Sequence, residues 1–271
     1  MSIQKTQKPI TIPALLRMKQ QGEPIAMLTA YDTLMASILD QSGIDIILVG
    51  DSGGMVMAGH ETTISVTMQE MLHYVKSVRR GVQHAMLVAD MPFLSYQVST
   101  EEAIRNAGRF LQEGGAEAVK IEGGLPVIPT IERLVQFGIP VMGHLGLTPQ
   151  SIHQLGGYMV QGKDDQAARK LKHEAQQLQE AGVFALVLEK VPALLAKEIS
   201  EQLQIPVIGI GAGKYCDGQV LVSHDMLGLY EKFQPKFVRR YAELGKAMSQ
   251  AFKQYINDVK QKNFPNDDES Y

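Results

Sequence analysis

Short apolar runs recur along this chain, separated by longer stretches whose apolar residues fall three and four positions apart. The runs are Ile25 to Ala30, Ile46 to Gly50, Met86 to Ala89, Ala118 to Ile121, Val141 to Leu145, Ala185 to Leu188, Val207 to Ile210 and Gln219 to Val222. They do not alternate with polar residues as a half-exposed strand does, so they predict eight strands buried on both faces. Most intervals leave room for a crossover helix, the connection that neighbouring parallel strands require. Eight such units in about 250 residues predict an α/β fold, a single-domain (β/α)8 TIM barrel.

The helical stretches can be placed in the same way. Thr67 to Arg80 carries apolar Met68, Met71, Leu72 and Val75, while Thr100-Glu101-Glu102-Ala103 predicts a helix start with Thr100 as cap and an acidic first turn. Between the seventh and eighth runs only GAGKYCDG remains, so the helix after strand seven is expected to be a single turn or missing. Near the end, Phe237, Tyr241, Leu244, Met248, Phe252, Tyr255 and Val259 predict a long C-terminal amphipathic helix of about six turns. It either closes the barrel or docks on a neighbouring subunit. No repeat, low-complexity tract or Gly/Ser/Pro-rich linker interrupts the pattern, so residues 1–262 are expected to form one barrel domain. Residues 263–271 are polar and acidic and are expected to be a flexible tail.

Composition narrows the partners. The 271 residues carry a formal charge of -3, and the basic residues make no block longer than Arg79-Arg80 or Arg239-Arg240. A nucleic-acid partner is therefore not expected. Cys216 is the single cysteine, which rules out an intrachain disulfide and a Cys/His finger and fits a reducing compartment. No apolar run approaches the roughly 20 residues that span a bilayer, and the amino terminus lacks an apolar segment ending in a small-residue cleavage site. A cytoplasmic location with no membrane partner is the expectation.

In a parallel barrel the loops after the strand carboxyl ends form the active face, so polar residues that end or follow the apolar runs are the candidates. They are Asp51 and Ser52 after run two, Asp90 after three, Lys120 and Glu122 within and after four, His144 in five and Glu189 after six. Carboxylates gathered in one cleft repel one another unless a cation or proton intervenes. An all-oxygen set without cysteine favours a hard ion such as Mg²⁺ over zinc. Each residue also has a plainer reading: Asp51 and Asp90 as helix N-caps, His144 as a hydrogen-bonded core histidine, Glu189 as a partner for Lys190 or Lys197, and Lys120 as an outward-pointing strand lysine. Gly209 to Lys214, GIGAGK, matches neither a dinucleotide fingerprint nor a P-loop and predicts a tight turn after strand seven.

Taken in order, VGDSGGMVMAGHETT, VADMPF, VKIEGG, GHLGLTPQS with GGYMVQG, LVLEKVP, and PVIGIGAG with DGQVLV closely resemble the ketopantoate hydroxymethyltransferase family over about nine-tenths of the chain. The resemblance implies a (β/α)8 barrel assembled as a homodecamer, with one Mg²⁺ per subunit. It implies transfer of a one-carbon unit from the co-substrate 5,10-methylenetetrahydrofolate to the 2-oxo acid 3-methyl-2-oxobutanoate. The products are ketopantoate and tetrahydrofolate, formed through a Mg-stabilised enolate, in pantothenate and coenzyme A biosynthesis.

By position, the resemblance makes Asp51 and Asp90 the metal ligands, with Glu122 completing the acidic shell directly or through water. Asp51, Ser52, Asp90 and Lys120 match the positions that bind the oxo acid, Glu189 matches the acid/base glutamate, and His144 falls in the pocket. With no Trp in the chain, a pterin ring would have to pack on residues such as Phe93, Tyr96 or Tyr158, whose plainer role is that of ordinary loop anchors. One departure is Gly53, where the family pattern has leucine in VGDSLG. Two other readings remain beside this one: a Mg²⁺-dependent carbon–carbon lyase or mutase of the phosphoenolpyruvate type, and a non-catalytic barrel that binds a small acid or serves as a scaffold.

Overall fold

Each apolar run becomes a strand because its side chains find cover on both sides, inside a closed sheet and beneath a ring of helices. A computed structural model describes residues 8–229 and 235–271. The amino-terminal seven residues, part of the stretch in which no leader is expected, lie outside the described residues.

The strands are β1 (Ile25–Thr29), β2 (Ile46–Val49), β3 (Met86–Asp90), β4 (Ala118–Glu122), β5 (Val141–Gly146), β6 (Ala185–Glu189), β7 (Val207–Ile210) and β8 (Gly218–Leu221). Every neighbouring pair is parallel, and β1 also pairs with β8, so the sheet closes in strict chain order. Preceding and between them lie α1 (Ile12–Gln21), α2 (Thr33–Gln41), α3 (Gly53–Val56), α4 (Met68–Arg79), α5 (Thr100–Gln112), α6 (Ile128–Gln136), α7 (Ile152–Leu155), α8 (Asp165–Glu180) and α9 (Ala193–Gln202). No helix separates β7 from β8, as the eight residues left between their apolar runs require. Contacts group the chain into two compact units, residues 1–222 and 223–271, the second holding α10 (Ser223–Met226) and α11 (Leu244–Lys260). Among the described residues no helix is long and apolar enough to cross a membrane.

Side chains of a strand point alternately to its two faces, and here that alternation sorts the core. Met27, Ile46, Leu48, Met86, Val88, Ala118, Met142, Ala185, Val187 and Ile208 fill the barrel interior. Ile47, Val49, Leu87, Ala89, Val119, Ile121, Leu186 and Leu188 face outward and meet Val75 of α4, Phe110 of α5, Leu134 of α6 and Leu178 of α8.

At the strand amino ends, carboxylates accept backbone N–H groups that begin the ladder. Asp45 takes Ala26 N at 2.8 Å, Glu117 takes Leu87 N at 2.9 Å and Asp217 takes Val207 N at 2.8 Å. Asp40, from α2, accepts from Gln83, His84 and Ala85 ahead of β3.

Two helix starts differ from the sequence reading. Ser99 caps α5 rather than Thr100, its hydroxyl accepting from Glu102 N, so Thr100 is already helical. The predicted C-terminal helix begins at Leu244, seven residues after Phe237, and has 17 residues. Tyr241 N and Leu244 N donate to the carbonyls of Met226 and Leu227, which holds the backbone there outside helical pairing. By contrast α4 begins where its signals place it, with Thr67 and Glu70 forming a reciprocal capping box.

Candidate active site

The alternation that fills the barrel with apolar side chains also carries polar ones to its carboxyl-terminal mouth. Val88 points inward, so Asp90 does; Ala118 points inward, so Lys120 and Glu122 do; Met142 and Val187 set His144 and Glu189 the same way. This decides against an outward-pointing Lys120. Asp51 and Ser52 follow β2 at the first turn of its loop. The structure thus brings together Asp51, Asp90, Lys120, Glu122, His144 and Glu189, with Ser52 at the edge.

Lys120 is the hub. Its Nζ lies 2.9 Å from Asp90 Oδ1, 3.7 Å from Glu122 Oε1 and 3.1 Å from His144 Nδ1. Burial alone would push the ammonium to give up its proton, but the surrounding Asp90, Glu122 and Asp51 reverse this and raise its pKa. Neither aspartate caps a helix. Asp51 Oδ2 accepts from Gln150 Nε2 at 2.9 Å, and Asp51 N donates to Asp90 Oδ2 at 3.1 Å. Burial, then repulsion from Asp90 and Glu122, pushes the Asp51 carboxyl well above the usual carboxylate range. Asp90 is also raised, by burial and by Glu122, with Lys120 opposing.

Glu122 is pulled the other way. Burial favours its neutral form, yet His144, Lys120 and the Gln150 backbone N–H at 3.0 Å hold it below its ordinary value. His144 Nδ1 lies 3.4 Å from Glu122 Oε1, and its Nε2 lies 3.5 Å from Glu189 Oε2. For a charged ring, burial and Lys120 are unfavourable, but Glu122 and Glu189 outweigh them and raise its pKa. In the neutral ring Lys120 can only donate to Nδ1, so the proton sits on Nε2, the atom nearest Glu189. That Nε2 is buried without a hydrogen-bond partner. Glu189 is the more open acid, with 14% of its side chain exposed.

Gln150 and Tyr96 join the site by routes the sequence does not advertise. Gln150 sits in a 3₁₀ turn, Pro149–Ser151, after β5, and its amide reaches Asp51, the Met91 carbonyl and the Tyr96 hydroxyl. Charge and metal-ligand chemistry single out acids, lysine and histidine, whereas a neutral amide five residues past the apolar run gives no such signal. Tyr96 is buried with its hydroxyl on Gln150 Oε1 and the Glu122 carbonyl, so its ring is not open for a pterin. Phe93 is half-buried and Tyr158 is exposed. Ser52 Oγ lies 2.9 Å from the Tyr31 hydroxyl.

Among the described residues no group of three or more His, Cys, Asp or Glu side chains is disposed to hold a metal ion. What the mouth offers is a pair of hard oxygen donors, Asp51 and Asp90, both biased toward protonation until a cation offsets their repulsion. That suits an ion such as Mg²⁺, which is usually held by one or two carboxylates with water and substrate oxygens completing its shell.

The sequence profile described as ketopantoate hydroxymethyltransferase matches residues 9–267. The 3-methyl-2-oxobutanoate hydroxymethyltransferase of Syntrophus aciditrophicus is 56% identical over 271 residues, covering 100% of both chains. The protein of that name from Syntrophotalea carbinolica is 58% identical over 265 residues, 98% of this chain and 99% of its own. Among solved structures, the phosphoenolpyruvate phosphomutase of Streptomyces platensis superposes with a TM-score of 0.63 at 17% identity, covering 92% of this chain and 88% of its own. A phosphonopyruvate hydrolase complex with oxalate and Mg²⁺ gives 0.61 at 12% identity, covering 95% and 92%. At those identities the likeness is one of fold.

Proposed function

The chain belongs to the ketopantoate hydroxymethyltransferase family, and on that premise we propose that it makes ketopantoate by moving a hydroxymethyl group from 5,10-methylenetetrahydrofolate to 3-methyl-2-oxobutanoate. The step belongs to pantothenate and coenzyme A biosynthesis. The observation that carries the reading is the convergence of Asp51, Asp90, Lys120, Glu122, His144 and Glu189 on one barrel mouth.

Asp51 and Asp90 would hold a divalent ion, Mg²⁺ by preference, with Glu122 completing the acidic shell directly or through water. When bound, such an ion supplies a Lewis acid to the 2-oxo group. Lys120 balances the substrate carboxylate and the negative charge that develops on the keto oxygen. Ser52 binds at the edge of the same pocket. Glu189 takes the proton from C3, the electron pair moving into the C2–C3 bond to give the enolate. His144 lies beside this base, its Nε2 3.5 Å from Glu189 Oε2. C3 then bonds to the methylene carbon as that carbon's bond to one folate nitrogen breaks and the nitrogen takes up the proton; water next adds its oxygen to the same carbon, its proton going to the second nitrogen as tetrahydrofolate leaves. For the pterin this reading leaves half-buried Phe93 and exposed Tyr158, the latter with Lys190 Nζ 5.4 Å from its ring centroid. With this reading goes a cytoplasmic homodecamer, whose mass light scattering would measure.

The test is proton NMR of 3-methyl-2-oxobutanoate in D₂O with the protein and either Mg²⁺ or a chelator. Metal-dependent loss of the C3 proton signal, followed by ketopantoate once methylenetetrahydrofolate is added, is the expected result. No exchange and no product from folded, metal-replete protein would overturn it.

A further inference from the structure

Gln150 is an uncharged side chain buried to 5% exposure among ionisable groups, and all of its side-chain bonding capacity is directed. Its Nε2 gives one proton to Asp51 Oδ2 and the other to the Met91 carbonyl, each at 2.9 Å. Its Oε1 accepts from the Tyr96 hydroxyl at 2.8 Å, and its backbone N–H goes to Glu122 Oε2 at 3.0 Å. Such an amide cannot flip, because turning it over would set its oxygen against the Asp51 and Met91 oxygens.

We propose that Gln150 is a positioning residue: by engaging Oδ2 of Asp51 it fixes the carboxylate's orientation toward the divalent cation shared with Asp90, and Tyr96 in turn fixes Gln150. The inference rests on the metal reading given above. One amide bridges the β2 loop, through Asp51, to the β3 loop, through Met91, from a turn that follows β5. Its loss therefore loosens Asp51 while the donor atoms themselves remain.

Gln150→Met keeps the length of the side chain and removes both donors. Calorimetric titration of Mg²⁺ into substrate-free protein should show affinity falling about tenfold or more, the usual effect of losing a group that orients a ligand. Tyr96→Phe, which leaves the amide in place with only Gln97 Nε2, 3.4 Å away, still donating to its oxygen, should move affinity in the same direction by less. At saturating Mg²⁺ the rate of C3 exchange should return to within about threefold of wild type, placing the loss in metal occupancy rather than in turnover. Wild-type affinity in a folded Gln150→Met protein would overturn the proposal. Should that variant fail to fold, unchanged affinity in Tyr96→Phe would overturn it instead. A wild-type protein that takes up no Mg²⁺ would overturn the metal reading beneath it, which is a separate result.

Discussion

Asp90 and Lys120 stand opposite each other in the parallel register of β3 and β4, and their side chains meet at 2.9 Å inside the barrel mouth. The lysine is the one permanent cation among Asp51, Asp90 and Glu122, and its charge makes the carboxylates tolerable.

Lys120→Met should leave these buried acids without that cation. Removing one partner of a buried ion pair costs about 3 to 5 kcal/mol. A urea melt in chelator should show a correspondingly lower midpoint, and C3 exchange should be lost even with Mg²⁺. An unchanged midpoint would mean the acids are protonated and indifferent to the lysine.

Glu189→Gln removes the proposed base and keeps the shape. Turnover should fall by about 10² to 10⁴, the range of a lost general base. Mg²⁺ and oxo-acid binding, read by calorimetry, should stay within a few-fold of wild type. Near-normal turnover with both ligands bound would assign the proton transfer elsewhere.

Asp40 lies far from this chemistry in role, accepting the N–H groups of Gln83, His84 and Ala85. Burial opposes its charge, but the three backbone bonds outweigh it and hold its pKa below the ordinary carboxylate value. A lowered acid contributes stability that is present above the unfolded pKa and disappears as pH falls through the folded one. The gap in melting temperature between wild type and Asp40→Asn should therefore be wide at neutral pH, begin to shrink below the unfolded value and be narrow once the pH is below the folded one. A gap independent of pH would show that the charge contributes nothing.

Gly53 stands where the resemblance leads us to expect leucine, and the packing around it shows what a side chain there would meet. A Cβ at this position would lie 2.8 Å from Tyr31 Cδ1 and 3.2 Å from Tyr74 Cε2, both on rigid rings. Gly53→Leu should cost about 1 to 3 kcal/mol through overpacking. It should also push Tyr31 off Ser52, where the hydroxyls now sit 2.9 Å apart, and weaken oxo-acid binding. Thermal melts and titration of the oxo acid would measure both effects.

The strands were legible because burial on both faces leaves unbroken apolar runs, and their order follows from the spacing between them. The cluster at the mouth was legible because acids, lysine and histidine at run ends are chemically conspicuous. Gln150 was not, since its role depends on a turn bringing an amide back over β2, which neither periodicity nor charge records. The start of α11 failed for a related reason: apolar spacing continues through Phe237 and Tyr241, but backbone bonds to Met226 and Leu227 decide the helix boundary. Ser99 and Thr100 are equally good caps by residue type, and only the backbone selects the first.

The barrel uses the same functional group in opposite ways at its two ends. Asp40, Asp45, Glu117 and Asp217 are satisfied by backbone N–H groups at the strand starts, so changing them damages architecture. Asp51, Asp90 and Glu189 do not start a strand in this way, and two of the three are held in unfavourable ionisation. Evolution can then exchange residues at the outgoing rim without disturbing the floor.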